Sequence, residues 1–151
     1  MNKIAKVDRA AVAITFLAFS AHAETFTGTW VTEDNISIVT IESCSNASDQ
    51  YCGYLVRFPL TDNKALNRAL CHFRVMGGMK LADNSLTGGW LYDPESGAAY
   101  NLTVRTGKTP DTIDLHVHGR IEMLGKTISW IRFNPVSPPE IWKEKLAPCA
   151  P

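Results

Sequence analysis

Asp114, His116 and His118 are the residues of this chain whose types and spacing best suit chemistry. In a β-strand alternate side chains lie on one face, so this carboxylate and the two imidazoles would share a face opposite three aliphatic residues. Two imidazoles and a carboxylate at this spacing could bind zinc or copper. Because the opposite face is clearly the apolar one, we favour a solvent-exposed strand surface. A metal site remains the weaker alternative.

Asp93 and Glu95 form a second candidate pair, within residues 92–100. Paired carboxylates can carry out acid–base chemistry or bind a cation. The same segment has the residue types of a hairpin turn, because Asp93 can start a turn, Pro94 fixes φ and Gly97 tolerates a left-handed backbone. We therefore favour a turn that connects two strands.

The motifs of common catalytic sites are missing from the sequence. It contains no Gly-x-Ser-x-Gly element and no glycine-rich phosphate-binding loop. Two acids without a third partner do not define a mechanism. We expect a protein that is not an enzyme and that needs no cofactor.

Residues 1–23 have the three parts of a secretory signal peptide. Three basic residues precede the apolar run 10–19, and Ala21-His22-Ala23 places small residues at both cleavage-determining positions. The run is too short for a membrane span, which needs about 20 apolar residues. We predict cleavage after Ala23 and a periplasmic or secreted protein, residues 24–151, that is not embedded in the membrane.

The charge balance of the mature chain argues against a nucleic-acid partner. The full chain has 15 basic and 15 acidic residues, and the first 23 residues hold three basic and one acidic residue, which leaves 12 and 14. Both signs are scattered, whereas phosphate backbones require a basic patch. A mature length of 128 residues suits one domain.

The mature chain contains four cysteines, Cys44, Cys52, Cys71 and Cys149. An even number in an exported chain indicates disulfides, and the spacing matches no standard zinc-ligand pattern. Three pairings are possible. Because Cys44 and Cys52 flank a short loop between strand-like runs, we favour their pairing, which leaves Cys71 with Cys149.

Short strand-like runs separated by turn residues make up most of the mature chain. The separators are too short for the crossover helices of a parallel sheet, so we predict an antiparallel all-β barrel or sandwich of eight or nine strands. The runs are 27–32, 36–42, 53–58, 73–76, 85–92, 98–106, 112–118 and 127–133.

Two segments depart from the strand pattern. Residues 62–70 contain helix formers, which predicts a loop with one helical turn, placed over a barrel mouth. Ser137-Pro138-Pro139-Glu140 has a capping-box arrangement with prolines in the first turn, which predicts a short C-terminal helix.

The two ends of the mature chain should meet, because a barrel closes by pairing its first and last strands. Segment 28–30 would then lie beside segment 130–132. A guanidinium over an indole face gains about 0.5–2 kcal/mol. We therefore predict that Arg132 lies on Trp30 and plugs one end of the barrel.

Five segments together carry a family resemblance: Gly28-Thr29-Trp30, Tyr51-Cys52-Gly53, 62–67, 89–100 and 124–132. On these segments the chain resembles the bacterial family called domain of unknown function 2147, small exported proteins of calycin-like, that is lipocalin-like, barrel type. The resemblance implies a fold and a location outside the cytoplasm. It gives no basis for assigning an activity. The chain departs from the family at His72, where relatives usually have glycine.

We accordingly expect a single antiparallel up-and-down, lipocalin-like barrel with a short C-terminal helix. Because an eight-stranded barrel has room either for side chains or for one small ligand, we predict non-catalytic binding of a small apolar molecule, with Arg132 or Arg105 anchoring an anionic group. The alternative is a protein-interaction or structural module of the cell envelope with a filled barrel. The predicted interior residues are Trp30, Tyr54, Trp90, Tyr100, Trp130 and Arg132.

Overall fold

A computed structural model of the protein describes residues 23–138 and Cys149. Eight antiparallel strands form a closed barrel in which each strand pairs with the next and β8 returns to β1. This confirms the predicted all-β up-and-down barrel. The predicted C-terminal helix and all of the predicted signal peptide except Ala23 lie outside the described residues. The strands are β1 Gly28–Val31, β2 Ile38–Cys44, β3 Ala47–Arg57, β4 Arg74–Ala82, β5 Ser85–Asp93, β6 Ala98–Thr106, β7 Thr112–His118 and β8 Lys126–Arg132.

Two short helical segments interrupt the strand order. Helix α1, Lys64–Leu70, connects β3 to β4, and a 3-10 turn at Glu122–Leu124 connects β7 to β8. Across residues 23–138, no helix combines the length and the apolar character that a bilayer crossing requires.

The strand bounds agree with the sequence pattern where alternation is regular, and differ where it is not. β6 and β7 coincide with the predicted runs. β4 is longer than the predicted run 73–76, because it continues through two glycines to Ala82. The predicted loop between Cys44 and Cys52 is wrong, since β3 already begins at Ala47 and only Ser45 and Asn46 form the turn.

The alternating strand directions give the barrel two different ends. We call the end that carries the β1–β2, β3–β4, β5–β6 and β7–β8 connections the mouth, and the opposite end the closed end. The mouth connections include the longest loop of the described chain, which contains α1. Residues 23–27 reach the barrel at the closed end, because β1 runs from there toward the mouth.

Trp30 and Arg132 plug the closed end, as predicted. The Trp30 side chain is fully buried, and the Arg132 guanidinium carbon lies 4.2 Å from the centroid of its ring. Arg132 donates hydrogen bonds to the carbonyl oxygens of Thr27 at 3.1 Å and Thr25 at 2.9 Å. The Trp30 indole N–H donates to the Phe26 carbonyl at 2.8 Å. These bonds hold the entering segment across the barrel end.

Apolar side chains fill the barrel next to this plug. They come from several strands and from the segment before β1, and they are at most 1% exposed. They include Phe26, Ile41, Met79, Leu86, Val104 and Ile113. A Cβ atom at Gly89 would overlap Met79, so this interior position is kept open for the methionine. The half of the barrel nearest the closed end is therefore a packed core.

Two disulfides fasten the barrel, with the pairing that we favour from the sequence. Cys44 is bonded to Cys52 across the β2–β3 hairpin, and Cys71 is bonded to Cys149 over a separation of 78 residues. The backbone N–H of Cys149 donates to the carbonyl of Val56 at 3.2 Å. Cys149 is thus attached to β3 near the mouth.

Candidate ligand-binding cavity

A cavity of about 570 Å³ occupies the mouth half of the barrel. Its inner wall is apolar and comes from interior positions of five strands: Val39, Leu55, Val75, Leu91 and Trp130. Each of these except Leu91 is nearly inaccessible to solvent. Ligand pockets range from about 300 to 1,000 Å³, so this space is large enough for one small molecule.

The loop that contains α1 forms one side of the cavity, where the sequence predicts a cover. Leu66 and Leu70 of α1 line the cavity. The side-chain oxygen of Asn63 caps the helix by accepting two backbone N–H bonds at 3.0 Å. Asn67 binds both the carbonyl and the N–H of Thr61 through its amide, at 2.8 and 3.0 Å. These bonds explain how so short a helix is held at the mouth.

The outer rim of the cavity carries acidic side chains. Asp34 in the β1–β2 connection, Asp93 at the end of β5 and Glu95 beyond it all line the cavity. Asp34 is fixed by its own loop, because one carboxylate oxygen accepts from the Thr32 hydroxyl at 2.6 Å and from the Ile36 N–H at 3.2 Å.

Asp93 is held in the turn that the sequence predicts. Its carboxylate accepts from the Ser96 hydroxyl at 2.5 Å and from the Glu95 N–H at 3.0 Å. The hydrogen bond from the Ser96 side chain lowers the pKa of Asp93 below its ordinary value of 3.8. Burial acts in the opposite direction and raises this pKa, whereas the backbone N–H groups of Glu95 and Ser96 lower it further. The Asp93 carboxylate therefore keeps its negative charge to a lower pH than an ordinary aspartate.

The predicted interior residues divide between several locations. Trp130 lines the cavity, whereas Trp30 and Arg132 form the plug at the closed end. Tyr100 pairs with Leu91 in the β5–β6 register but is 38% exposed and does not line the cavity.

Tyr54 and Trp90 lie on the outer face of the barrel. Tyr54 pairs with Thr40, one position away from the fully buried Ile41. The Trp90 ring packs on the backbone of β4 and has the Arg74 guanidinium carbon 5.3 Å from its centroid. Neither residue lines the cavity. The aliphatic wall was not singled out from the sequence, although the two-residue alternation of each strand is a signal for it.

Asp114, His116 and His118 share the outer face of β7, as their spacing predicts. The His116 ring nitrogens lie 3.1 Å from the Thr127 hydroxyl and 3.1 Å from the Glu122 carbonyl oxygen. Within residues 23–138 and Cys149, no three His, Cys, Asp or Glu side chains are close enough to hold a metal ion together. The metal hypothesis stays a prediction from the sequence.

Comparisons with known proteins identify the type of barrel. A family model described as "Uncharacterized protein conserved in bacteria (DUF2147)" matches residues 28–132. The chain is similar to a solved structure described as protein HP1028 from the human pathogen Helicobacter pylori, which belongs to the lipocalin family. The TM-score is 0.52 and the sequence identity is 16%, and the match covers 73% of this chain and 84% of that chain. None of the curated proteins compared with this chain matches it. At 16% identity the structural similarity concerns the fold alone.

Proposed function

Because this chain belongs to the DUF2147 family and folds as a lipocalin-like barrel, we propose that it binds a small, largely apolar molecule in the mouth cavity without transforming it. The observation that carries this proposal is the open space of about 570 Å³ with an apolar inner wall. A barrel that served only as a structural or interaction module would have no need to leave this volume unfilled.

The wall supplies the driving force for binding. Burial of apolar surface is favourable by about 25 cal/mol per Å², so a ligand that buries roughly 300 Å² gains about 7 kcal/mol before the cost of immobilisation. Because about 7 kcal/mol without that cost corresponds to a Kd of about 10 μM, we expect dissociation constants of about 10 μM or weaker. Trp130 and Phe58 add aromatic contact area to the aliphatic wall.

The lining supports binding rather than catalysis. The described residues around the cavity include no histidine, cysteine or lysine. The Thr32 hydroxyl donates to the Asp34 carboxylate, which its own turn also holds, and the described lining has no histidine or lysine, the bases that commonly activate a hydroxyl nucleophile.

A location in the periplasm or outside the cell is part of this proposal. Two disulfides support it, because such bonds persist in oxidising compartments. The signal-peptide pattern of residues 1–23 supports it independently.

Filling the cavity tests the proposal. Val75→Phe and Leu91→Phe each place extra volume in the lining, and Thr103→Phe adds the same ring on the outer face of β6 as a matched control. The probe is the neutral dye N-phenyl-1-naphthylamine, whose fluorescence increases in apolar surroundings. We expect the wild type and Thr103→Phe to bind it, and both cavity variants to bind at least about tenfold more weakly.

Thermal unfolding of each variant checks that the barrel is intact. Native mass spectrometry of the protein purified from its own host then identifies any co-purifying ligand. The proposal is overturned if the folded wild type does not bind the dye, or if both cavity variants bind it as well as Thr103→Phe does.

A further inference from the structure

All the charged side chains that line the described cavity have the same sign. They are the carboxylates Asp34, Asp93 and Glu95, and the lining contains no lysine or arginine. The carboxylates come from two connections at the mouth, whereas the inner wall is apolar. The cavity itself defines the site, and the charges give it a polar, anionic entrance.

The arginines that the sequence suggested as anchors for an anionic ligand lie elsewhere. Arg132 is at the closed end, where it donates to the carbonyls of Thr25 and Thr27. Arg105 is exposed and pairs in register with Asp114, on the outer face of the barrel. An anionic group that entered the mouth would meet three carboxylates and no cation of the lining.

Aromatic side chains in the same cavity favour the opposite charge. Phe58, Tyr92 and Trp130 line the cavity together with the carboxylates. The face of an aromatic ring attracts cations, most strongly where water is excluded. A cavity that combines aromatic rings with a carboxylate rim is therefore suited to an ammonium group that is attached to an apolar body.

Two of the three carboxylates are also held in place before any ligand arrives. Asp34 and Asp93 are each held by hydrogen bonds within their own turns. In the described part of the chain, Glu95 has no ion-pair partner. Fixed charges at the entrance cost little to arrange when a ligand binds, and they discriminate by sign more than they add affinity.

We propose that the cavity selects amphipathic cations: molecules with an apolar body that lies against the inner wall and an ammonium-type head group that lies at the carboxylate rim. This specificity rests on the proposed function, because it names the class of ligand for the same cavity. It differs from that proposal in what it excludes, since apolar molecules with an anionic head should bind poorly.

Three probes with the same decyl chain separate the two proposals. They are decyltrimethylammonium, decyl sulfate and the uncharged decyl maltoside, each titrated below its micelle concentration by calorimetry. We expect the cation to bind at least about tenfold more tightly than the sulfate, and this preference to decrease as salt is raised from 20 to 300 mM.

Charge removal at the rim should reduce the preference. We expect Asp34→Asn combined with Glu95→Gln to reduce it to less than about threefold, with the affinity for decyl maltoside unchanged. Glu42→Gln combined with Asp111→Asn removes the same charge from residues outside the cavity and should leave the preference intact. Glu95→Gln alone, at an exposed position, is the variant least able to disturb folding and should reduce the preference partially.

The outcomes distinguish the two proposals. Equal binding of the cationic and anionic probes by the wild type overturns the inferred specificity and leaves apolar binding in place. An unchanged preference in the rim variants assigns the preference to groups other than Asp34 and Glu95, and an equal loss in the Glu42→Gln and Asp111→Asn control assigns it to the net charge of the protein. Either result overturns the inferred specificity. Failure of all three probes to bind overturns the inferred specificity, and the dye titration of the wild type then decides separately whether apolar binding stands.

Discussion

His72 adopts a backbone conformation that side chains with a Cβ atom disfavour. Its φ is 56°, at the position where the family resemblance leads us to expect glycine. The left-handed region costs most residues about 1–2 kcal/mol, and histidine tolerates it better than most. The conformation is retained because the His72 N–H donates to the carbonyl of Leu55 at 2.9 Å, which ties the loop after α1 to β3.

We expect His72→Gly to raise the free energy of unfolding by about 0.5–1 kcal/mol. The substitution removes the cost of the left-handed backbone. This gain is larger than the opposing effect of glycine, whose greater conformational entropy stabilises the unfolded chain by about 0.4–1 kcal/mol. Urea unfolding measures the change. His72→Ala is the matched control, because it removes the imidazole and retains the cost. An equal gain in the alanine variant would show that the imidazole, and not the backbone, is unfavourable.

The carboxyl group of Asp93 makes a contribution to the stability of the fold that depends on pH. Its pKa lies below 3.8 in the folded protein, chiefly through the Ser96 hydroxyl. A group with a lowered folded pKa stabilises the fold above its unfolded pKa, and this contribution is lost as pH falls through the folded value. The stabilisation is therefore complete well above pH 3.8 and disappears below the folded pKa of Asp93.

We expect Ser96→Ala to raise the pKa of Asp93 toward its ordinary value, because the strongest donor to the carboxylate is removed. Carbon-detected NMR titration of the carboxyl signal measures this pKa. The carboxyl of Asp49 is an internal reference, since Lys80 lowers its pKa at a different part of the barrel. An unshifted Asp93 signal would assign the lowering to the backbone donors instead.

At the level of elements, strands could be predicted from sequence where one face is buried and the alternation is uninterrupted. β6 and β7 show this, with Leu102, Val104, Ile113 and Leu115 all buried at alternate positions. The start of β3 could not, because its first residues are polar and lack the alternation of a half-buried strand. Ala47 pairs with Cys44 of β2 across the turn, and Asp49 forms an exposed ion pair with Lys80 of β4. Tertiary pairing overrides local preference there.

The outward position of Trp90 shows why the candidate site was harder to predict than the strands. Simple alternation from the buried Leu86 would place Trp90 inside the barrel. A register shift between Leu86 and Gly89 inserts an extra residue, and Gly88 has a φ of +70° at this point. A bulge of this kind reverses the faces of every later residue in the strand, so Leu91 lines the cavity and Trp90 does not.

For the molecule as a whole, the distribution of aromatic side chains determines whether the barrel is open. Tyr54 and Trp90 lie outside, so aliphatic residues form most of the inner wall. Smaller side chains fill less of the fixed volume of an eight-stranded barrel. The sequence pattern indicated the closed sheet, whereas the cavity follows from the bulges and registers that only the assembled barrel shows.

The seam between β1 and β8 is the weakest pairing of the closed sheet. The register joins two residue pairs there, compared with six between β7 and β8. Beyond these pairs, the N–H of Phe133 donates to the carbonyl of Thr29 at 2.9 Å. Arg132 supports the seam from inside, since it links β8 both to Trp30 and to the segment before β1.

We expect Arg132→Met to open this seam locally. Loss of the cation–π contact and of two hydrogen bonds from a charged donor should raise the hydrogen-exchange rate of the Phe133 amide at least about tenfold, which corresponds to about 1.4 kcal/mol. The amides of Leu102 and Val104 in β6 should change less, because their strand is paired on both sides over longer registers. NMR-detected exchange under native conditions measures each amide.

Arg105→Met is the matched control, because it removes an exposed guanidinium from the outer face and leaves the seam contacts in place. Its Phe133 amide should exchange at the wild-type rate. If Arg132→Met accelerates exchange equally in β6 and at Phe133, Arg132 stabilises the barrel globally and not the seam. If Arg132→Met changes the exchange rate neither at Phe133 nor in β6, the Arg132 side chain does not support the seam. Closure of the barrel then depends on the backbone pairing of β1 with β8.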